Sequence, residues 1–186
     1  MSGGALGSVV EAGRGSLPFA LVHGEPLVAC AAWALGEAGV TVVDVGTEWS
    51  ELVAEELPLV LHDPLCPLTP PEFVVACVLH AAETGAVTVG VRPVTDTVKE
   101  LAGGRLGDTV DRSGLLQVAS PVVLPAGVVE ALGGLPTLDF AELVTALAER
   151  FPVETLEAPA EARRIAGEGD LRLLEALTAP ADRYGT

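Results

Sequence analysis

Short apolar runs that read as strands alternate with longer helical stretches, and this alternation limits the folds open to the chain more than any other feature. Thr41-Val42-Val43-Asp44-Val45, Leu59-Val60-Leu61-His62 and Val87-Thr88-Val89-Gly90-Val91 are rich in β-branched or apolar residues and have strand length. Ser8-Val9-Val10 reads as a minimal first strand. Pro26 opens a helical stretch through Trp33 and Leu35 that stops near Gly39, with Pro at the start and Gly past the end. Glu48 to Leu57 reads as a short acidic helix. Thr69-Pro70-Pro71-Glu72 predicts a helix to about Thr84, with Thr69 as hydroxyl cap and Glu72 three residues after it. Leu115 to Val118 is a short strand, Pro125 to Leu132 a short helix, and Asp139-Phe140-Ala141-Glu142 starts a capped helix to Arg150. Val153 to Leu156 is a last strand, and Leu171 to Leu177 a terminal helix. Strands joined through helices imply a mostly parallel α/β sheet with right-handed crossovers. Such sheets bind ligands at the carboxyl ends of their strands. Asp63, directly after a strand, and the segment after Val91 therefore fall on the functional edge.

At 186 residues a single domain is expected, large enough to bury a core without disulfide or metal staples. The 26 acidic and 10 basic residues give a net charge of −16, and the resulting field repels nucleic acids and anionic membranes. No run reaches the length and apolarity of a membrane-spanning helix, and Met1 to Gly7 lacks the basic and apolar regions of a secretion signal. Cys30, Cys66 and Cys77 are odd in number and do not form a disulfide framework, so a reducing cytoplasm is the expected location. Cys77 and His80 share a helix at i, i+3 near Cys66, but zinc sites need four ligands at typical spacings, and buried Cys is commonly an apolar residue. Gly13-Arg14-Gly15-Ser16 reads as a glycine turn without the spacing or lysine of a Walker loop.

Two short polar motifs carry the chemistry. The chain's one lysine lies in Asp96-Thr97-Val98-Lys99, and Thr109-Val110-Asp111-Arg112 follows ten residues later. A reversal at Gly103-Gly104 makes residues 93–112 a hairpin arm and brings hydroxyl and cation opposite Arg112, a donor set suited to a small phosphate-bearing ligand. The plainer reading is a polar hairpin whose charges face water.

From His62 onward the order of motifs resembles the 2-C-methyl-D-erythritol 4-phosphate cytidylyltransferase family. The residues that carry the resemblance are His62-Asp63 with Pro67, Pro93-Val94-Thr95-Asp96-Thr97-Val98-Lys99, Thr109-Val110-Asp111-Arg112-Ser113-Gly114-Leu115, Ser120-Pro121, and Arg163-Arg164-Ile165 ahead of Asp170-Leu171. Leu17-Pro18-Phe19 through Gly24-Glu25-Pro26-Leu27 is similar to the segment that follows the family's phosphate loop. The resemblance implies a doubly wound nucleotidyltransferase fold with a projecting β-arm that exchanges contacts across a homodimer. It also implies transfer of a cytidylyl group from CTP to methylerythritol phosphate with Mg²⁺. By the same resemblance Asp63 is the metal-associated aspartate and Arg14 and Arg164 are the surviving catalytic cations. Thr97 and Arg112 match arm residues that bind the sugar phosphate, Ser120 falls where the family has a substrate-binding threonine, and Lys99 is expected to join them as a substrate-binding cation of the arm.

The chain departs from the family pattern mainly on the triphosphate side. Phe19 stands where the family has a lysine, Cys66 where it has an arginine, and Val122 where a glutamine follows Ser-Pro. The family's Asn-x-Lys-x-Thr becomes Ala162-Arg163-Arg164-Ile165-Ala166, and the stretch between Ala38 and Leu57 is too short for a nucleotide-covering segment. Phosphoryl-type transfer relies on cancelling charge on the triphosphate. The expectation is a degenerate homologue with weak or no catalysis. The alternatives are an active nucleotidyltransferase rebuilt around Arg14 and Arg164, or a structural or partner subunit without ligand.

Overall fold

The computed structural model describes residues 4–94, 99–102, 105–109 and 114–179. In chain order, β1 (Ala5–Val9) leads through a glycine loop to a small hairpin, β2 (Leu21–Val22) with β3 (Glu25–Pro26), and into α1 (Leu27–Glu37). Next come β4 (Val40–Val42), α2 (Trp49–Ala54), β5 (Leu59–His62) and α3 (Pro71–Thr84). β6 (Val87–Pro93) precedes a second hairpin, β7 (Lys99–Ala102) with β8 (Arg105–Thr109), and β9 (Leu116–Leu124) returns. α4 (Ala126–Leu132), α5 (Phe140–Ala148), β10 (Val153–Glu157) and α6 (Glu168–Thr178) complete the order.

Six strands form one sheet in the order β10-β6-β9-β5-β1-β4. Every neighbouring pair is parallel except those made by β9, which runs antiparallel to both β5 and β6. The central strands are apolar on both faces because helices cover both. On one face Val60 and Val123 pack with Leu35 of α1 and Val74 and Cys77 of α3. On the other, Leu61, Val89 and Val122 pack with Leu52 of α2, Val129 of α4 and Leu143 of α5. A third cluster of Val22, Leu27, Leu65, Ile165 and Leu174 joins the β2–β3 hairpin and α6 to the loop after β5. The fold is the doubly wound, mostly parallel α/β architecture that the alternation predicts.

Three local expectations are corrected. Thr69 does not cap α3; it is buried, and its hydroxyl donates to the Cys66 carbonyl at 2.9 Å. Pro70 occupies the cap position without a side-chain bond, and a proline in the first turn removes an N–H that would otherwise need a partner. β9 is nine residues long rather than the short strand at Leu115 to Val118. The β6–β9 register shifts between Val89 and Val91, passing from Val122 to Val118 on β9, so Pro121, which has no N–H to give, lies within the irregularity. The strand at Thr41 to Val45 stops at Val42, because Asp44 Oδ1 accepts from the Gly46 N–H at 3.0 Å and turns the chain.

Asp139 caps α5 as predicted, its carboxylate accepting from the Glu142 N–H at 3.0 Å. β7 and β8 pair antiparallel with each other in a sheet separate from the central one, in the register Lys99↔Thr109, Leu101↔Leu106 and Ala102↔Arg105. The reversal at Gly103-Gly104, and Asp96, Thr97, Val98, Val110, Asp111 and Arg112, lie outside the described residues. No helix among the described residues is long and apolar enough to cross a membrane.

Candidate active site at the carboxyl edge

Asp63 follows the last residue of β5, at the carboxyl edge of the sheet, and is 1% exposed. Its Oδ1 accepts from the Leu65 N–H at 3.0 Å, which folds the next residues back over the strand end, and the Cys66 N–H returns to the Asp63 carbonyl at 2.9 Å. Two arginines far away in sequence meet this carboxylate. Arg14 Nε donates to Oδ1 at 3.3 Å, and Arg164 Nε donates to Oδ2 at 3.0 Å.

Arg14 reaches Asp63 from the loop after β1. Gly13 and Gly15 flank it at φ of +78° and +60°, the left-handed region in which glycine carries no Cβ penalty. The guanidinium is held on every side: Nη1 donates to the carbonyls of Ala12 and Leu138, the latter at 2.8 Å, and the group lies 5.1 Å from the centre of the Phe140 ring. Its side chain is 5% exposed. Arg164 is positioned by its neighbour Ile165, which is buried in the third cluster and donates its N–H to the Leu65 carbonyl at 2.7 Å. Arg164 keeps 35% of its side chain exposed, so the cluster has one buried and one open cation.

Ser120 lies behind Asp63 on β9. Its hydroxyl accepts from the Asp63 N–H at 2.9 Å and is bonded to His62 Nδ1. The other ring nitrogen of His62, Nε2, is buried with no partner among the described residues. Burial holds His62 well below its ordinary value, at about 4, against the opposing pull of the Asp63 charge. Gly90 of β6 makes room for this backbone: a Cβ there would lie 2.6 Å from the Ser120 carbonyl oxygen. Burial, and then the Asp63 charge, push the Cys66 thiol up, so it stays neutral and apolar despite two arginines nearby.

Asp63, Arg14, Arg164 and Ser120, four of the seven residues singled out from the sequence, thus converge on one strand end. Lys99 is placed on β7 opposite Thr109, while Thr97 and Arg112 fall outside the described residues. Leu138, Phe140, Ile165 and His62 also take part, in roles that no motif in the sequence marks. A backbone carbonyl, an aromatic face and a buried anchor leave no polar motif behind. Among the described residues no group of three or more His, Cys, Asp or Glu side chains could hold a metal ion.

No family model matches the chain. Relatives match it directly. It is 38% identical to the 2-C-methyl-D-erythritol 4-phosphate cytidylyltransferase of Frankia casuarinae over 128 residues, which is 67% of this chain and 47% of that protein. It is 37% identical over 133 residues to the enzyme of the same name from Thermus thermophilus, covering 68% of this chain and 61% of that one. The chain belongs to this cytidylyltransferase family. The Deinococcus radiodurans member is 33% identical over 132 residues, 67% of this chain and 55% of its own length. Across these three cytidylyltransferases the matched segment spans roughly half of the relative. The fold agrees: the crystal structure of the Thermus thermophilus cytidylyltransferase superposes with a TM-score of 0.70 at 24% identity, covering 92% of this chain and 96% of that one. A crystal structure of 4-diphosphocytidyl-2C-methyl-D-erythritol synthase gives 0.68 at 18% identity, covering 94% and 97%.

Proposed function

We propose that the chain keeps the cytidylyltransferase scaffold but has lost efficient cytidylyl transfer, and that it works by binding a small phosphorylated ligand or a partner through its arm. The observation behind this reading is the mutual satisfaction of Arg14, Asp63 and Arg164. To receive a triphosphate, Arg14 must leave Asp63, the Leu138 carbonyl and the Phe140 ring, and it must abandon a buried carboxylate as it does so. Two positions that carry cations in the family carry none here: Phe19, 60% exposed, stands at that of the lysine, and Cys66, fully buried and neutral, at that of the arginine.

Asp63 does not fit a divalent cation either. Mg²⁺ takes oxygen ligands in near-octahedral geometry, and both oxygens of this carboxylate already accept from guanidinium groups. No step is therefore routed through the Mg²⁺ that the family resemblance implies. Ser120 is fully buried and its hydroxyl is bonded on both sides, so in this reading it positions Asp63 and touches no ligand. Ligand binding falls to Thr97, Lys99 and Arg112 in the arm, and the arm pairs two chains as a homodimer in the cytoplasm.

Calorimetry tests this. Methylerythritol phosphate is expected to give a binding heat that Arg112→Ala abolishes, and CTP with Mg²⁺ to give none. Saturable CTP binding that depends on Arg14 and Arg164 would establish the rebuilt, active site instead.

A further inference from the structure

A cavity of about 240 Å³ lies between the ends of β1 and β4, α2, and the segment that joins α4 to α5. Val10, Leu61, Leu52, Leu135 and Leu138 give it an apolar wall, and Trp49 is fixed alongside by donating its indole N–H to the Val129 carbonyl at 3.0 Å. Ser8 of β1 also lines it. Ser8 is 6% exposed, and its hydroxyl has no hydrogen-bond partner among the described residues. Buried hydroxyls are nearly always paired, because an unpaired one forfeits its bonds to water and gains nothing in return. Thr47 brings a second hydroxyl to the lining, but only that of Ser8 is buried without a partner among the described residues, and a buried, unpaired hydroxyl facing a largely apolar hollow points to a partner from outside the chain.

We propose that this cavity is a small-molecule site, taking an uncharged or cationic ring-sized ligand that offers one hydrogen-bonding group to the Ser8 hydroxyl. The size follows from the volume: a dry apolar cavity of about 150 Å³ holds benzene, so 240 Å³ accommodates a ring with a substituent. The charge follows from the lining, in which Asp44 contributes a carboxylate and no described residue contributes a cation. An anionic ligand is disfavoured there. The site is thus chemically distinct from a phosphate site and independent of whether cytidylyl transfer survives. Its wall nevertheless touches the Asp63 cluster, because the carbonyl of Leu138 is the one that Arg14 holds.

Phenol and toluene, nearly identical in shape, and anionic benzoate are the probes. The readout is the Trp49 indole N–H resonance of the full chain, assigned against Trp33→Phe. Phenol is expected to shift it saturably and to bind roughly 3- to 10-fold more tightly than toluene, the range one net hydrogen bond supplies; benzoate should not bind. Ser8→Ala should retain toluene and lose the preference for phenol. Failure of both neutral probes to bind at millimolar concentration, or equal binding of phenol and toluene to the parent, overturns the proposal without recourse to any variant. Persistence of the preference in Ser8→Ala overturns it equally.

Discussion

At the scale of single residues, the site is a carboxylate shared by two guanidinium groups. Removing its charge leaves Arg14 buried at 5% side-chain exposure with no counter-ion. Asp63→Asn should therefore destabilise the protein by about 3–5 kcal/mol, the usual effect of breaking a buried pair from one side. Urea denaturation measures it, and the double variant with Arg14→Met should lose less than the sum of the single losses. A change below about 1 kcal/mol would mean that the pair is not closed in solution. His62 gives a pH signature. Its folded value of about 4 lies below the ordinary 6.5, so the unfolded chain takes up the proton first as the pH falls. This contribution to stability is fully present above about pH 6.5 and is lost as the pH falls towards 4, by about 3 kcal/mol in all. In His62→Gln that share of the acid sensitivity should vanish. Identical pH profiles for parent and variant would contradict the account.

At the scale of elements, the irregularity where β6 meets β9 sets the position of Ser120. Gly90→Ala places a methyl against the Ser120 carbonyl and the Phe73 ring, and the neighbour at 2.6 Å is backbone that cannot turn aside. The expected loss is about 1–3 kcal/mol, read as a lowered urea midpoint, with Gly85→Ala as a control for a glycine that meets nothing within 4 Å and is held only by its φ of +68°. The elements legible in the sequence are those whose signals are local. β5 ends at His62, just before Asp63, because an apolar run ends there, and α5 starts after Asp139 because a carboxylate three residues ahead of Glu142 caps it. β9 was not legible over its length, since Pro121 reads as a breaker and only the register against β6 shows that its missing N–H falls in an irregularity. The Thr69 cap failed for a related reason: hydroxyl spacing matched, but the side chain turned into the loop after β5. The site was legible as separate residues and not as a cluster. Arg14 and Arg164 lie 49 and 101 positions from Asp63, and no local pattern shows that they pair with it rather than facing a ligand.

At the scale of the whole molecule, a net charge of −16 surrounds a site whose cations are already engaged. Such a field opposes capture of a triphosphate and adds to the cost of opening the cluster. The arm is the other feature at this scale. A two-stranded hairpin is marginal by itself in water, and among the described residues β7 and β8 pair only with each other. The proposed remedy is a second copy of the chain. Sedimentation should show a dimer at micromolar concentration and a monomer once residues 100–107 are removed; a monomeric parent would refute this. The central claim concerns chemistry, and the most direct measurement is pyrophosphate release by the purified chain with saturating CTP, Mg²⁺ and methylerythritol phosphate. The account predicts turnover at least a hundredfold below the roughly 1 per second at which ordinary enzymes begin; a turnover of about 1 per second or more, abolished by Arg14→Ala, would show that Arg14 leaves Asp63 for the nucleotide and that catalysis survives.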